Sequence, residues 1–432
     1  MAMTVIKNKA EEAIAATIAN RTPKLPGGAN VRKMREDAAA VFNASGLPHR
    51  RIEEWKYTDL RTLLKDQAAS EPTSADAAQK LVQRALPGVT AQTYIFVDGK
   101  LTSQPHDDVP KGVSVVSLAE SLLESTASLR SDLPDTVDLG AASVIALNTA
   151  LAAGGASITI AAKTKLKEPI HLIFISSGVT AVRTKIVLGA DSSATIIETH
   201  TGAGGRQEFA VTDVELGERA ALHHVVNSAT AAGDAFIAQT IARVERQAAY
   251  APFQFHRGLG VTRQQLTLTF AGEHATLDFS SAALVRANGH SDTTLIIDHA
   301  VPHCTSRELY KTVLDDSARG IFQGKVIVRP DAQKTDGKQM AQALMLSPDA
   351  EFDSKPELEI YADDVICGHG TTSAEIDEDM LFYCKSRGIP ETEARALLIE
   401  SFIGEVIDKV ENESIRESLM GLARAWLATP HV

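Results

Sequence analysis

The chain has 432 residues, a formal net charge of -12 and 44% hydrophobic residues. That length can hold a large core and more than one domain, and the acidic balance argues against nucleic acid, whose phosphates call for a cationic surface. No run of about 18 apolar residues is present, so no helical membrane span is expected, and the first dozen residues lack the apolar core of a signal peptide.

The first part reads as helix. Residues 9–20 are rich in Ala and Glu, and residues 31–45 carry strong helix formers. Gly46-Leu-Pro-His ends that segment, as Gly and Pro do. Arg51-Ile-Glu-Glu-Trp-Lys-Tyr-Thr-Asp-Leu follows as an amphipathic stretch. Residues 68–78 read as a linker containing Ser, Ala and Pro. Thr93-Tyr-Ile-Phe-Val-Asp-Gly-Lys predicts a short strand and a turn at Asp-Gly. Residues 118–129 predict a short helix, which completes a mostly helical domain over 1–140.

Over 141–376 the pattern changes to short strands, at 171–176, 185–188, 195–200, 211–216, 221–226, 265–270, 276–280, 293–298, 325–329 and 356–366. A degenerate unit recurs at the breaks: an apolar residue, a tight polar turn, an Ala, then another strand. Leu188-Gly-Ala-Asp-Ser-Ser-Ala, Leu216-Gly-Glu-Arg-Ala, Phe270-Ala-Gly-Glu-His-Ala, Leu314-Asp-Asp-Ser-Ala and Leu346-Ser-Pro-Asp-Ala are its instances. Repetition of one supersecondary unit marks a solenoid, whose rungs bury their apolar faces by stacking. The pattern predicts a right-handed parallel β-helix. Irregular spacing of the repeat keeps a large β-sandwich as the competing reading.

After residue 376 the chain returns to helix. Residues 378–387 stop at Gly388, and Pro390-Glu-Thr-Glu opens a second helix with Ala394, Leu397, Leu398 and Phe402 on one side. Asn412 can cap a third, in which Ile415, Leu419, Leu422 and Trp426 recur at helical spacing. The fold is therefore mainly β, a parallel β-helix between an N-terminal helical domain and a C-terminal one over 377–432. The C-terminal stripes suit either docking onto the β domain or binding a partner.

The chemistry gathers at Lys355-Pro-Glu-Leu-Glu-Ile-Tyr-Ala-Asp-Asp-Val-Ile-Cys-Gly-His-Gly, read as a strand that runs into a Cys-x-His pair. Side chains two apart on a strand share a face, so Cys367 and His369 project together. Thiolate and imidazole are ligands for iron and zinc, and Gly368 and Gly370 leave room for a ligand or a partner backbone. Half a metal site is all the pair provides. The three cysteines, Cys304, Cys367 and Cys384, are few and widely spaced, which suggests a reducing compartment and a cytoplasmic location. Cys384 lies in an apolar run and reads as a buried small hydrophobe.

Other motifs carry less. Gly320-Ile-Phe-Gln-Gly-Lys-Val resembles a phosphate loop superficially but lacks the spacing, the Ser or Thr after Lys325 and the following helix; it reads as a β turn. His299, His303 and Cys304 can bind metal as a cluster, but Pro302 breaks the geometry and backbone-bonded loop histidines are commoner. His223 and His224 are adjacent on a strand and face opposite ways. No hydrolase motif is present.

Several of these segments together resemble one family. His303-Cys-Thr-Ser-Arg-Glu-Leu-Tyr-Lys, Gly320-Ile-Phe-Gln-Gly-Lys, Ala332-Gln-Lys-Thr-Asp, Lys355-Pro-Glu-Leu-Glu-Ile-Tyr-Ala-Asp-Asp-Val, Cys367-Gly-His-Gly, Leu381-Phe-Tyr-Cys-Lys-Ser-Arg-Gly-Ile and Glu54-Trp-Lys-Tyr-Thr look like the SufB/SufD family of iron–sulfur cluster assembly proteins. The likeness is nearer to the SufD branch, since the place where SufB-like chains carry a cysteine has Thr335 and Asp336. Gly368, where SufD-like chains usually have Ser, and Thr371-Thr-Ser-Ala depart from that branch.

The resemblance implies a non-catalytic scaffold in a complex with SufB and with SufC, an ABC-type ATPase that would dock on the C-terminal helices. Phe382, Arg387, Leu398 and Phe402 would be the partner-binding residues there. SufB would pair through the last part of the β-helix, and an isolated chain could pair with itself. His369 and Cys367 would be ligands for a nascent iron–sulfur cluster or iron at the SufB interface, with no cofactor held stably by this chain alone. The alternative is a platform that only holds SufC. A β-helix enzyme such as a polysaccharide lyase would need a carboxylate- or Arg-lined groove, which nothing in the sequence signals.

Overall fold

The computed structural model describes residues 7–64, 72–105, 109–124, 129 and 133–429. Its N-terminal helices are α1 (Lys9–Arg21), α2 (Ala29–Ser45), α3 (Leu60–Leu63), α4 (Ala75–Gln83), α5 (Leu118–Ser121) and α6 (Leu139–Leu151). Asn8 and Glu11 cap the start of α1 reciprocally, and Gly46 at φ +70° ends α2. The predicted linker over 68–78 gives way to α4 from Ala75; its earlier part lies outside the described residues. The helix expected over 118–129 is one described turn, α5, and residues 125–128 are again outside.

The strands are β1 (Gln92–Val97), β2 (Lys100–Ser103), β3 (Val113–Ser117), β4 (Ala156–Ile160), β5 (Ile170–Ile175), β6 (Val179–Leu188), β7 (Ser193–Thr201), β8 (Gln207–Leu216) and β9 (Ala221–Thr230). They continue as β10 (Ala235–Val244), β11 (Ala249–Gly258), β12 (Val261–Phe270), β13 (Thr276–Val285), β14 (His290–His299) and β15 (Thr305–Leu314). The last are β16 (Arg319–Val328), β17 (Asp336–Met345), β18 (Glu351–Ile360) and β19 (Ile366–Ala374). From β4 on, successive strands alternate between two sheets. One runs β19-β17-β15-β13-β11-β9-β7-β5-β1-β2 and the other β18-β16-β14-β12-β10-β8-β6-β4-β3. All neighbours from β4 to β19 are parallel, so the chain winds a parallel β-solenoid of about eight turns.

The recurring turn unit is the corner of this solenoid. Lys163, Asp191, Arg219, Gln247, His274, His303 and Lys334 each take a left-handed conformation at one corner, with φ between 55° and 63°. A small buried residue follows most of them: Ser192, Ala220, Ala248, Ala275, Cys304 and Thr335. The corner N–H groups bond to the next rung, as Asp191 does to the Glu218 carbonyl and Arg219 to that of Arg246. The sequence instances at Leu314 and Leu346 belong to the opposite corner, between β15 and β16 and between β17 and β18. The repeat thus mixes two corner stacks, which is why its spacing looks irregular.

Three readings need correction. Gly320-Ile-Phe-Gln-Gly-Lys-Val is no turn but the middle of β16. Its glycines leave space for neighbours, since a Cβ on Gly324 would lie 2.6 Å from Gln339 Oε1 and one on Gly320 3.0 Å from the Leu314 methyls. Residues 139–151, placed in the strand region, form α6, which is buried on nearly every side and so shows no one-sided periodicity. Asn148 on α6 donates to the carbonyls of Val182 and Phe209 and ties it to the sheet. The strand read over 356–366 is broken, as described below.

The Glu54-Trp-Lys-Tyr-Thr segment clamps the N-terminal region to the solenoid. Trp55 is fully buried beneath the Arg263 guanidinium at 3.9 Å, and its indole donates to Asp138 at 2.8 Å. Thr58 Oγ1 bonds Asp292, which also pairs with Arg263. At the other end α7 (Glu378–Ser386), α8 (Glu391–Ile407) and α9 (Glu413–Ala428) cover the outer face of β11, β13 and β15. Ile399, Ile403, Val406, Ile415 and Leu419 form that contact. Lys409 pairs with Asp278 at 2.9 Å, and Arg286 lies over Trp426 at 3.7 Å. No helix among the described residues is long and apolar enough to cross a membrane.

Candidate functional site

The solenoid has an open end. Among the described residues β18 pairs only with β16 and β19 only with β17, so each is an edge strand. Between them residues 361–365 make the last corner, where the Lys334 N–H donates to the Asp364 carbonyl at 2.6 Å. The stretch from Lys355 to Gly370 is therefore two strands on two sheets, not one. The small Ala362 is buried at this corner.

Cys367 and His369 share a face of β19, as the alternation predicts. Their registered neighbours on β17 are Gly337 and Gln339, and beyond those Ser306 and Glu308 on β15. This is the inward face. Cys367 is half-buried against the core, and a Cβ on Gly337 would touch its Sγ at 3.6 Å. Burial pushes the Cys367 thiol pKa up, and the nearby Asp336 and Glu308 carboxylates add to that. His369 is exposed because no further rung covers it, and it has no hydrogen-bond partner among the described residues. Gly368 opens on empty space, where a Cβ would meet nothing within 4 Å. The rim is closed by a hydrogen bond of 2.9 Å between Ser354 of β18 and Thr371 of β19.

Glu308 is the residue that sequence reading missed, although it lies within the quoted His303–Lys311 segment. It is buried, and neither carboxylate oxygen has a partner in hydrogen-bond geometry. Burial pushes its pKa from 4.5 up to about 8, against a smaller lowering by Ser306 and Arg307. The two side-chain polar atoms of Gln339 are likewise unpartnered. The column Glu308, Gln339, His369 thus leads from the core to the open end. Its ends lie two strand spacings apart, about 10 Å. Among the described residues no three His, Cys, Asp or Glu side chains gather closely enough to hold a metal ion.

A raised carboxyl pKa has a defined signature. Below pH 4.5 Glu308 is protonated folded or unfolded; between that and about 8 only the unfolded chain ionises, so its contribution to stability is lost as pH rises. At about 1.4 kcal/mol per pKa unit the loss is bounded at roughly 5 kcal/mol. Glu308→Gln should remove it. Thermal midpoints of wild type and variant are expected to diverge in the variant's favour between about pH 5 and about pH 8.5; parallel curves would contradict the buried, unpaired carboxyl.

The other candidates separate. His299 is buried, bonds Ser306 at 3.1 Å, and is driven down to about 3 by burial. His303 stacks on His274 at the corner, 4.8 Å between ring centres. Cys304 fills the corner, with burial lifting its thiol to about 11. His299, His303 and Cys304 do not belong to any group of three donors close enough to hold a metal ion among the described residues. His223 faces out toward Glu411, whereas His224 faces in and bonds Glu198 at 2.9 Å. Glu198 also lies 3.4 Å from His200, which meets Glu208 at 2.5 Å; against burial, these carboxylates hold His200 up at about 9. That row of charges is spent on itself. Cys384 is half-buried on α7.

On the C-terminal helices the four named residues divide. Phe382 is 72% exposed on α7, and Arg387 is exposed with its guanidinium 5.0 Å from the Tyr383 ring. Leu398 and Phe402 pack partly buried toward the solenoid, where Lys311 lies 4.5 Å over the Phe402 ring. Met380 and Tyr383 on α7 and Leu397 on α8 are exposed as well. A second group of exposed apolar side chains, Met340, Ile360, Tyr361 and Ile366, surrounds the open end.

Residues 173–402 match the SUF system FeS cluster assembly SufBD core domain, and residues 26–172 match the SufBD protein N-terminal region. The chain belongs to the SufB/SufD family of iron–sulfur cluster assembly proteins. A SufBD family protein of Synechocystis is 31% identical over 89% of this chain and 88% of its own. The iron–sulfur cluster assembly protein SufD of Escherichia coli is 29% identical over 87% and 88%. A SufBD family protein of Mycobacterium tuberculosis is 27% identical over 88% and 90%. The helical flanks and the parallel solenoid agree with what the family resemblance implied.

Proposed function

We propose that this SufB/SufD family chain is a non-catalytic scaffold subunit of the SUF complex in the cytoplasm. It pairs with SufB through the open end of its solenoid and docks the SufC ATPase on its C-terminal helices. His369, with Cys367 as the second donor, completes a site for nascent cluster or iron whose remaining ligands come from SufB. The observation that carries this reading is the position of both side chains on an unpaired edge strand, beside an apolar rim. Half a donor set at an open edge becomes whole when another chain closes that edge.

The edge itself favours pairing. The Ile366 N–H donates to the Thr335 carbonyl on the β17 side. Backbone groups alternate in direction along a parallel strand, so the N–H groups of Cys367, His369, Thr371 and Ser373 face outward, unpaired. An edge of this kind is a template for another chain. Pro356 interrupts the free side of β18, which makes β19 the better template.

SufC docking is supported by the exposed Met380, Phe382, Tyr383 and Leu397. Co-expression with SufB-like and SufC-like chains, followed by affinity purification and anaerobic iron and sulfide assay, tests the whole reading. A ternary complex carrying iron and sulfide is expected. The double change Phe382→Asp and Leu397→Asp should lose the ATPase and keep the SufB-like chain. Retention of the ATPase by that variant, or no complex at all, would refute the assignment. A complex whose iron is indifferent to His369 and Cys367 would instead favour the platform that only holds SufC.

A further inference from the structure

A separate cleft of about 200 Å³ lies on the outer face of the ten-stranded sheet, beside the C-terminal end of α4. Arg257, Asn227, Thr199 and Thr201 line its floor, and Arg84 stands at its edge. The side chains form one polar row across neighbouring strands. His171 bonds Thr199 at 2.8 Å, Asn227 donates to Thr199 at 3.3 Å, and Arg257 Nη2 reaches Asn227 Oδ1 at 3.4 Å. His171 is driven down to about 4 by burial and is neutral at ordinary pH. The only charges in the row are therefore positive.

Arg257 is the anomaly. Among the described residues neither Arg257 nor Arg84 has a carboxylate within ion-pair distance, and no acidic side chain lines the cleft. Arg257 Nε is buried without a partner. The guanidinium lies 5.5 Å from the Phe255 ring, and burial alone lowers its pKa to about 10, so it stays charged. A guanidinium taken from water without an anion is costly. Arg257 is half-buried, whereas most of the fully buried arginines of this chain have one: Arg263 pairs with Asp292, Arg206 with Glu208, and Arg183 with Asp213. Proteins pair a planar guanidinium with carboxylate or phosphate through two parallel hydrogen bonds.

We propose that this cleft binds a small free oxyanion of the phosphate class, held by Arg257 with Arg84 and the Asn227 and Thr201 side chains as supporting groups. The overall charge of -12 makes a local cationic, acid-free cleft the more selective. The cleft is on the outer face, over β7, β9 and β11, and three strands, β13, β15 and β17, separate β11 from the edge strand β19. Its ligand would therefore bind independently of the His369 site.

The test titrates the full-length chain with inorganic phosphate at constant ionic strength, chloride as the control, and follows binding by calorimetry and the thermal midpoint. Saturable binding is expected, weakened at least about tenfold by Arg257→Gln. Arg84→Gln, at an exposed position, should weaken it more modestly without affecting folding, so the result stands even if the Arg257 variant folds poorly. No saturable phosphate binding by the wild type would overturn the proposal, as would unchanged affinity in both variants.

Discussion

Replacing His369 by alanine is expected to lower the supply of clusters to dependent enzymes by about tenfold or more in a cell that relies on this pathway. The side chain is exposed and bonds nothing among the described residues, so its removal should cost less than about 0.5 kcal/mol of stability. Subunit levels and co-purification should stay normal, which separates loss of a ligand from loss of the fold. Cys367→Ser should act more weakly. Its thiol is half-buried and its pKa is raised, so metal binding must first displace a proton, whereas imidazole binds through a neutral nitrogen. Normal cluster supply in the His369 variant, at normal complex levels, would remove the ligand role.

The second large effect concerns the edge. Thr371→Pro removes an N–H that faces outward from β19 and leaves every bond from β19 to β17 in place. The isolated chain should lose only the hydrogen bond to Ser354, about 1 kcal/mol. Association with the SufB-like chain should weaken by at least about tenfold, because the ring blocks strand approach as well as removing a donor. Thr372→Pro is the control: its N–H points to β17, so that change should destabilise the isolated chain itself, by about 3 kcal/mol. Equal behaviour of the two variants in both measurements would show that the open edge is not the interface.

Much of this architecture was legible in the sequence because the corners are local. Polar turns followed by Ala at Leu188, Leu216 and Phe270 are visible without tertiary contacts, and so are the caps at Asn412 and Gly388. Strands β10, β11, β15 and β17 were not singled out. Inward positions of the last three hold Gln254, Glu308 and Gln339, and Gln239 is buried on the outer face of β10, so strands buried on both faces show neither alternation nor a continuous apolar run. Helix α6 escaped for the mirror reason, being apolar all round. The glycines of Gly320-Ile-Phe-Gln-Gly looked like a turn because a glycine that makes room for Gln339 is indistinguishable in sequence from one that needs a positive φ.

The site was half legible. Spacing by two placed Cys367 and His369 on one face, and that face exists. The break at 361–365, which moves them to the other sheet and to its edge, depends on where the solenoid stops. Glu308 was hidden because its significance comes from registry: it reaches the same column as His369 only through β17. Leu397 and Leu398 show the same limit, since neighbours on one helix lie about 100° apart and Leu398 alone turns toward the core beneath α8.

The central claim is that an imidazole of this chain ligates iron at a site shared with another subunit. Complex assembled with only this subunit labelled with ¹⁵N-histidine, loaded anaerobically with iron and sulfide and reduced to a paramagnetic state, allows a direct test by pulsed electron paramagnetic resonance. A ¹⁵N coupling to the cluster is predicted, and it should vanish in His369→Ala while iron-loaded complex still forms. Absence of that coupling in the wild type, or its persistence in the variant, would contradict the account.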